Sequence, residues 1–179
     1  MNDESSTERS RNIWAPWRME YIDALSEPDG GCFLCRYQPD KAEDEKHLVL
    51  WRGKHGMAVL NRFPYTGGHS MVAPYAHVGD LSQLDEPTML ELFAMLRDLQ
   101  AALAKAVGAQ GFNIGINIGR CAGAGLPGHL HIHIVPRWSG DTNFMAVFGG
   151  ARVIPISLET MYAQLRQATV DLKLPWLNP

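Results

Sequence analysis

The chain has 179 residues, 46% of them hydrophobic and 20% charged, which fits one globular domain with a sizeable core. The formal net charge of -3 offers no basic field to draw in nucleic acid or an anionic membrane. There is no long uninterrupted apolar run and the start, Met1 to Arg11, is polar, so neither a membrane span nor a signal peptide is expected and the expected location is cytoplasmic.

Residues 1–12 are small, polar and charged with no apolar period, and read as a disordered tail ahead of one domain over 13–179. Residues 13–22 are too aromatic for a free tail. Trp17, Tyr21 and Leu25 are spaced by four, which predicts a short helix from Pro16. This arm is expected to pack on the core or on a second subunit. Pro28-Asp29-Gly30-Gly31 is a turn that leads into Cys32 and Cys35. One Cys-x-x-Cys pair is compatible with half a zinc site, a redox pair or two ordinary cysteines. Three cysteines in all, with Cys121, argue against a disulfide framework.

Residues 38–46 are charged and read as loop. Strands are predicted over 47–51 and 57–61, joined as a hairpin, and over 68–73, ended by Pro74. Asp85 can cap a helix with Pro87 in its first turn. Leu92, Leu96, Leu99, Leu103 and Val107 keep one apolar face, and Gly108 can end it. Residues 112–118 alternate as another strand, followed by a glycine-rich loop over 119–128 and a histidine-rich strand from 129. A last helix is predicted over 158–172, with Leu158, Met161, Leu165, Ala168 and Leu172 on one face. Short links between strands favour antiparallel pairing. The expected fold is α+β, a mostly antiparallel five-stranded sheet with helices packed on it.

The densest chemical signal is His129-Leu130-His131-Ile132-His133. Side chains alternate along a strand, so the three histidines share one face while Leu130, Ile132 and Ile134 pack the other into the core. Imidazole can act as nucleophile, acid, base or metal ligand near neutral pH. The loop before the run, Gly119 to Gly128, lets backbone N–H groups approach an anion. It lacks the Gly-Lys-Ser/Thr ending of a P-loop. Beside aligned histidines it suggests a phosphate cradle, with an imidazole attacking phosphorus and backbone donors stabilising the equatorial oxygens.

His-Leu-His-Ile-His-Ile-Val resembles the signature of the histidine triad superfamily. Asn61 to Val72 resembles that family's second block, in which Asn or Asp precedes a Pro and then Gly-His. The stretch His129 to Met145 and the block Trp14 to Ile22 are most similar to bacterial diadenosine tetraphosphate phosphorylases. The resemblance implies the histidine triad fold, an enzyme, and His131 as the nucleophile that forms a nucleotidyl-histidine. It also implies that the His133 carbonyl holds the second ring nitrogen of His131, and that His133 contacts phosphate, with His129 as the third candidate catalytic histidine. Asn61 would bind ribose, or cap a turn before Pro64. Asn117, Gly123, Ala124 and Gly125 would line the phosphate region. His69 would stand near the active centre, or be a satisfied core histidine.

Zinc-containing members resemble this chain in Cys32, Cys35, His77 and His129, which implies a structural zinc and no organic cofactor. The implied partners are a nucleotide substrate, inorganic phosphate as acceptor and a second copy of the chain, with neither nucleic acid nor membrane. Gly125-Leu126-Pro127-Gly128 departs from the Ser, Thr or Gln that many hydrolases of the superfamily carry there. That departure favours phosphorolysis of diadenosine tetraphosphate to ATP and ADP over hydrolysis of dinucleoside polyphosphates or nucleoside phosphoramidates. A nucleotide-binding module without turnover is the remaining alternative, and a nucleophile between two further histidines argues against it.

Overall fold

The computed structural model describes residues 31–141 and 154–177. The expected tail, the aromatic arm with its helix from Pro16, and the turn at residues 28–30 lie outside the described residues.

Five strands form one sheet in the order β1-β2-β3-β5-β4, and every neighbouring pair is antiparallel. They are β1 (Val49–Arg52), β2 (Gly56–Leu60), β3 (Ser70–Pro74), β4 (Gly111–Ile116) and β5 (Ile132–Arg137). The helices are α1 (Phe33–Arg36), α2 (Asp44–His47), α3 (Glu86–Val107) and α4 (Leu158–Asp171). The expected α+β class and the antiparallel sheet are both present.

The α3 helix starts where Asp85 accepts from the Thr88 N–H, with proline in its first turn, and stops at Gly108 in the left-handed region. Its buried face carries Leu92, Met95, Leu96, Leu99, Ala102 and Leu103. Together with α4 it covers one face of the sheet, over Leu50, Ala58, Leu60, Val72, Ile132 and Ile134. Each such leucine buried contributes about 1.5–3 kcal/mol. The other face carries Val49, Met57, Val59, Met71 and Ala73, and Leu34 of α1 packs there. His133 is paired with Met71 across β3 and β5, so it lies on this second face.

Several expected boundaries move, among them the start of β3, at Ser70 rather than 68, and the end of β4, at Ile116 rather than 118. Residues 38–46 are not simply loop: a 3-10 turn spans Lys41–Glu43 and α2 follows. Asp40 caps that turn through the Ala42 N–H, and Arg52 reaches Asp44 and the Tyr37 and Gln38 carbonyls. Two of the charges that suggest a solvated loop are therefore a cap, Asp40, and half of an ion pair, Asp44. The first strand begins at Val49 rather than His47, because His47 ends α2 and Leu48 takes a left-handed conformation. The histidine strand begins at Ile132, so His129 and His131 precede the ladder.

Candidate active site and metal centre

Three segments meet on the second face of the sheet: the Asn61–His69 turn, the end of the glycine loop, and the start of β5. Gly68, at φ +82, makes the turn that delivers His69 to β3, where a Cβ would meet Leu103 and Pro136. His69 is fully buried and His131 nearly so, while His133 is half-buried.

Hydrogen bonds fix the tautomers. His131 Nδ1 lies 2.8 Å from the His129 carbonyl oxygen, which can only accept. Nδ1 therefore carries the proton, and neutral His131 presents a bare Nε2. The family resemblance implies the carbonyl of His133 as this anchor, and the structure places the His129 carbonyl there instead. His133 sits inside the ladder, paired with Met71 on one side and Gly115 on the other. The carbonyl of His129 precedes the ladder and lies on the side of His131.

A second chain of bonds runs through His69. The Tyr65 N–H donates to His69 Nδ1 at 3.1 Å, and Asn61 Nδ2 stands 3.3 Å from the same nitrogen. His69 Nδ1 is thus an acceptor and Nε2 holds the proton. Nε2 lies 3.0 Å from His133 Nδ1, to which it donates. Neutral His133 then holds its own proton on Nε2. The rings of His131 and His133 meet edge to face at 4.8 Å.

Burial pushes both His69 and His131 below the usual imidazole range, His69 to about 3, with smaller repulsion from His133 and then His131. Both rings are neutral at neutral pH. A neutral imidazole with a bare nitrogen beside a ring that donates suits attack on an anionic phosphorus centre.

Asn61 serves two bonds: Oδ1 accepts from the Phe63 N–H at 2.9 Å, and Nδ2 faces His69. The turn-capping alternative is therefore present in the structure. Asn117 follows β4, and its Nδ2 reaches the Gly123 carbonyl at 3.5 Å across the glycine loop. Gly123 is left-handed and ends a 3-10 turn over Arg120–Ala122, with Ala124 and Gly125 beyond it. Cys121 is exposed on that turn.

The four expected metal ligands come together. One donor atom from each of Cys32, Cys35, His77 and His129 lies within 4.8 Å of the others. His129 Nδ1 is 3.0 Å from Cys32 Sγ and 3.5 Å from Cys35 Sγ, while His77 Nδ1 is 3.3 Å from Cys35 Sγ. His129 Nε2 donates to the Pro74 carbonyl at 2.8 Å, which leaves Nδ1 bare towards the thiols. An outer bond of this kind orients a ligating imidazole. Burial, with Cys35 beside it, pushes the Cys32 thiol up to about 11. Two thiolates here need a cation to compensate them, and a Cys2His2 donor set suits tetrahedral zinc. The sequence does not mark the Pro74 carbonyl or the Tyr65 N–H, because both act through backbone atoms that no residue type signals, even though Tyr65 lies within the Asn61 to Val72 block.

Among known proteins, the "AP-4-A phosphorylase" of Mycobacterium tuberculosis is 40% identical over 150 residues, 81% of this chain and 77% of that protein. A "Bis(5'-nucleosyl)-tetraphosphatase [asymmetrical]" of Schizosaccharomyces pombe is 37% identical over 93 residues, 52% of this chain and 50% of that protein. A crystal structure of a zinc-bound histidine triad family protein from Mycobacterium smegmatis superposes with a TM-score of 0.65 at 28% identity, covering 80% of this chain and 96% of that one. The HIT domain family model matches residues 42–140, more than half of the chain. With the triad geometry in place, the chain belongs to the HIT domain family.

Proposed function

We propose that this protein is a nucleotidyl-transferring enzyme whose main reaction is phosphorolysis of diadenosine tetraphosphate to ATP and ADP. The observation that carries the reading is the bare Nε2 of His131, held by the His129 carbonyl beside His133. His131 Nε2 attacks the α-phosphorus, a P–N bond forms, and the P–O bond to ATP breaks with its electron pair leaving on ATP. An oxygen of inorganic phosphate then attacks the same phosphorus, the P–N bond breaks, and ADP departs. His133 donates to a phosphate oxygen in both steps, and the backbone of Gly123, Ala124 and Gly125 cradles the chain beyond it. Asn61 holds a ribose hydroxyl and Asn117 spans the loop. His129 is a metal ligand more than a participant in chemistry.

The relative named as a phosphorylase, and the absence of a hydroxyl or amide side chain over 125–128, support phosphate as acceptor. The relative named as a tetraphosphatase supports water as the alternative acceptor. Incubation with diadenosine tetraphosphate, with and without phosphate, decides: ATP plus ADP only with phosphate supports phosphorolysis, and AMP without phosphate supports hydrolysis. Loss of either activity in His131→Ala, by about 10⁴-fold or more, is expected. A His131→Ala protein that stays active sinks the reading.

Zinc is the proposed ion at Cys32, Cys35, His77 and His129, tying the segment around α1 to the approach of β5. When bound, it supplies a structural tie rather than a reactive water, because all four positions are protein ligands. Residues 13–179 are taken as one domain, and the working assembly is a homodimer. Leu90 and Phe93 of α3 are 74% and 59% exposed, and Ile114 on the edge strand β4 is exposed as well. Among the described residues, no helix is long and apolar enough to cross a membrane.

A further inference from the structure

Tyr65 has no part in the chemistry above. Its ring lies over His69 with centroids 4.4 Å apart and planes 27° from parallel, and stands 6.0 Å from the His133 ring. Tyr65 is 41% exposed, whereas His69 beneath it is 0% exposed. The backbone N–H of the same residue occupies His69 Nδ1. One residue thus covers a face of the imidazole and engages its bare nitrogen.

We propose that Tyr65 is a positioning residue whose ring is the lid over His69, keeping that imidazole dry and neutral, so that the Nε2–H tautomer set by the Tyr65 backbone N–H persists and fixes His133 as a donor towards substrate. The last step rests on the reading of His133 as a phosphate contact. A protonated His69 would carry N–H on both nitrogens. Its Nδ1–H would then oppose the Tyr65 N–H and Asn61 Nδ2, so donors would face a donor. The titratable groups acting on His69 are the imidazoles of His133 and His131, and both disfavour a charge there. Burial is the larger influence, and burial is what an exposed ring lying on His69 controls. Because the ring faces solvent, it is the piece of this burial that a single substitution removes with least damage to the core.

The test uses the full chain as wild type, Tyr65→Ala, Tyr65→Leu and Tyr65→Phe. In the substrate-free protein, the ring nitrogens of His69 are titrated by ¹⁵N NMR. Wild type and Tyr65→Phe keep the Nε2–H tautomer to below pH 5. In Tyr65→Ala the midpoint rises from about 3 to above about 5, with Tyr65→Leu between them. In the pH profile, kcat/KM of Tyr65→Ala at pH 5 falls about two- to fivefold further than wild type, with KM little changed, and Tyr65→Phe restores the profile. A His69 midpoint that does not move in folded Tyr65→Ala or Tyr65→Leu overturns the proposal. So does a Tyr65→Phe protein that behaves like Tyr65→Ala, since the hydroxyl rather than the ring would then matter. The NMR arm needs no turnover, so a protein that titrates as expected yet cleaves no dinucleotide overturns the proposed reaction alone.

Discussion

His69 Nε2 lies 3.0 Å from His133 Nδ1, and the Tyr65 N–H on the far nitrogen of His69 sets the direction of that bond. Proton position thus passes from a backbone amide, through a buried ring, to a half-buried one. Neither histidine alone specifies which nitrogen of His133 carries the proton.

That relationship predicts a split between two substitutions. His69→Gln places an amide N–H near the former Nε2 and is expected to keep kcat within about tenfold of wild type. His69→Leu removes the donor, and kcat is expected to fall about 100-fold with a smaller change in KM. Steady-state kinetics on both variants checks this, and equal losses would count against the tautomer relay.

Removal of zinc is expected to loosen the segment around α1 and the approach to β5 together, since Cys32 and Cys35 lie on one and His129 on the other. The purified protein should contain about one zinc per chain. Cys32→Ser or a strong chelator should lower Tm by roughly 5–15 °C. Metal analysis and calorimetry test it; a metal-free protein with unchanged Tm would show the cluster to be four ordinary side chains.

The β1–β2 hairpin depends on Glu91. Its carboxylate accepts from the N–H groups of Lys54, His55 and Gly56 at 3.1, 2.7 and 3.2 Å. Glu91→Ala leaves those three donors to water and is expected to cost about 2–3 kcal/mol in urea unfolding. Gly56→Ala is expected to be worse than a helix-surface change, because its Cβ would come within 2.6 Å of the Ala73 carbonyl oxygen. Urea midpoints near wild type for both would remove this account of the hairpin.

Exposed Leu90, Phe93 and Ile114 predict a dimer. Light scattering should give about twice 19.9 kDa, and Phe93→Glu should shift the mass towards one chain by placing charge in an apolar contact. A wild-type mass of one chain at micromolar concentration would refute it.

Much of the fold was legible in the chain because periodicity reports burial directly. Leu92, Leu96, Leu99 and Leu103 recur at helical spacing and are all buried, and Leu130, Ile132 and Ile134 are buried as the alternating partners of the histidines. Residues 38–46 read as loop in the sequence because charge alone does not distinguish a solvated loop from capped turns. Asp40 and Asp44 find partners two and eight residues away, and nothing in the local pattern marks the second.

The sequence by itself determined which residue types stand in the candidate site: three alternating histidines, a glycine loop and a Cys-x-x-Cys pair, with His77 joined to the cysteines only through the family resemblance. Only the tertiary structure decided what each histidine is. His129 turns Nδ1 to the cysteines because the Pro74 carbonyl holds Nε2. His131 keeps Nε2 bare because the His129 carbonyl holds Nδ1, and His133 takes its tautomer from His69. An imidazole's role depends on which nitrogen bears the proton. That choice is made by the atom opposite each ring, and in two of the three rings that atom comes from β3 or the turn before it, more than fifty residues away in sequence.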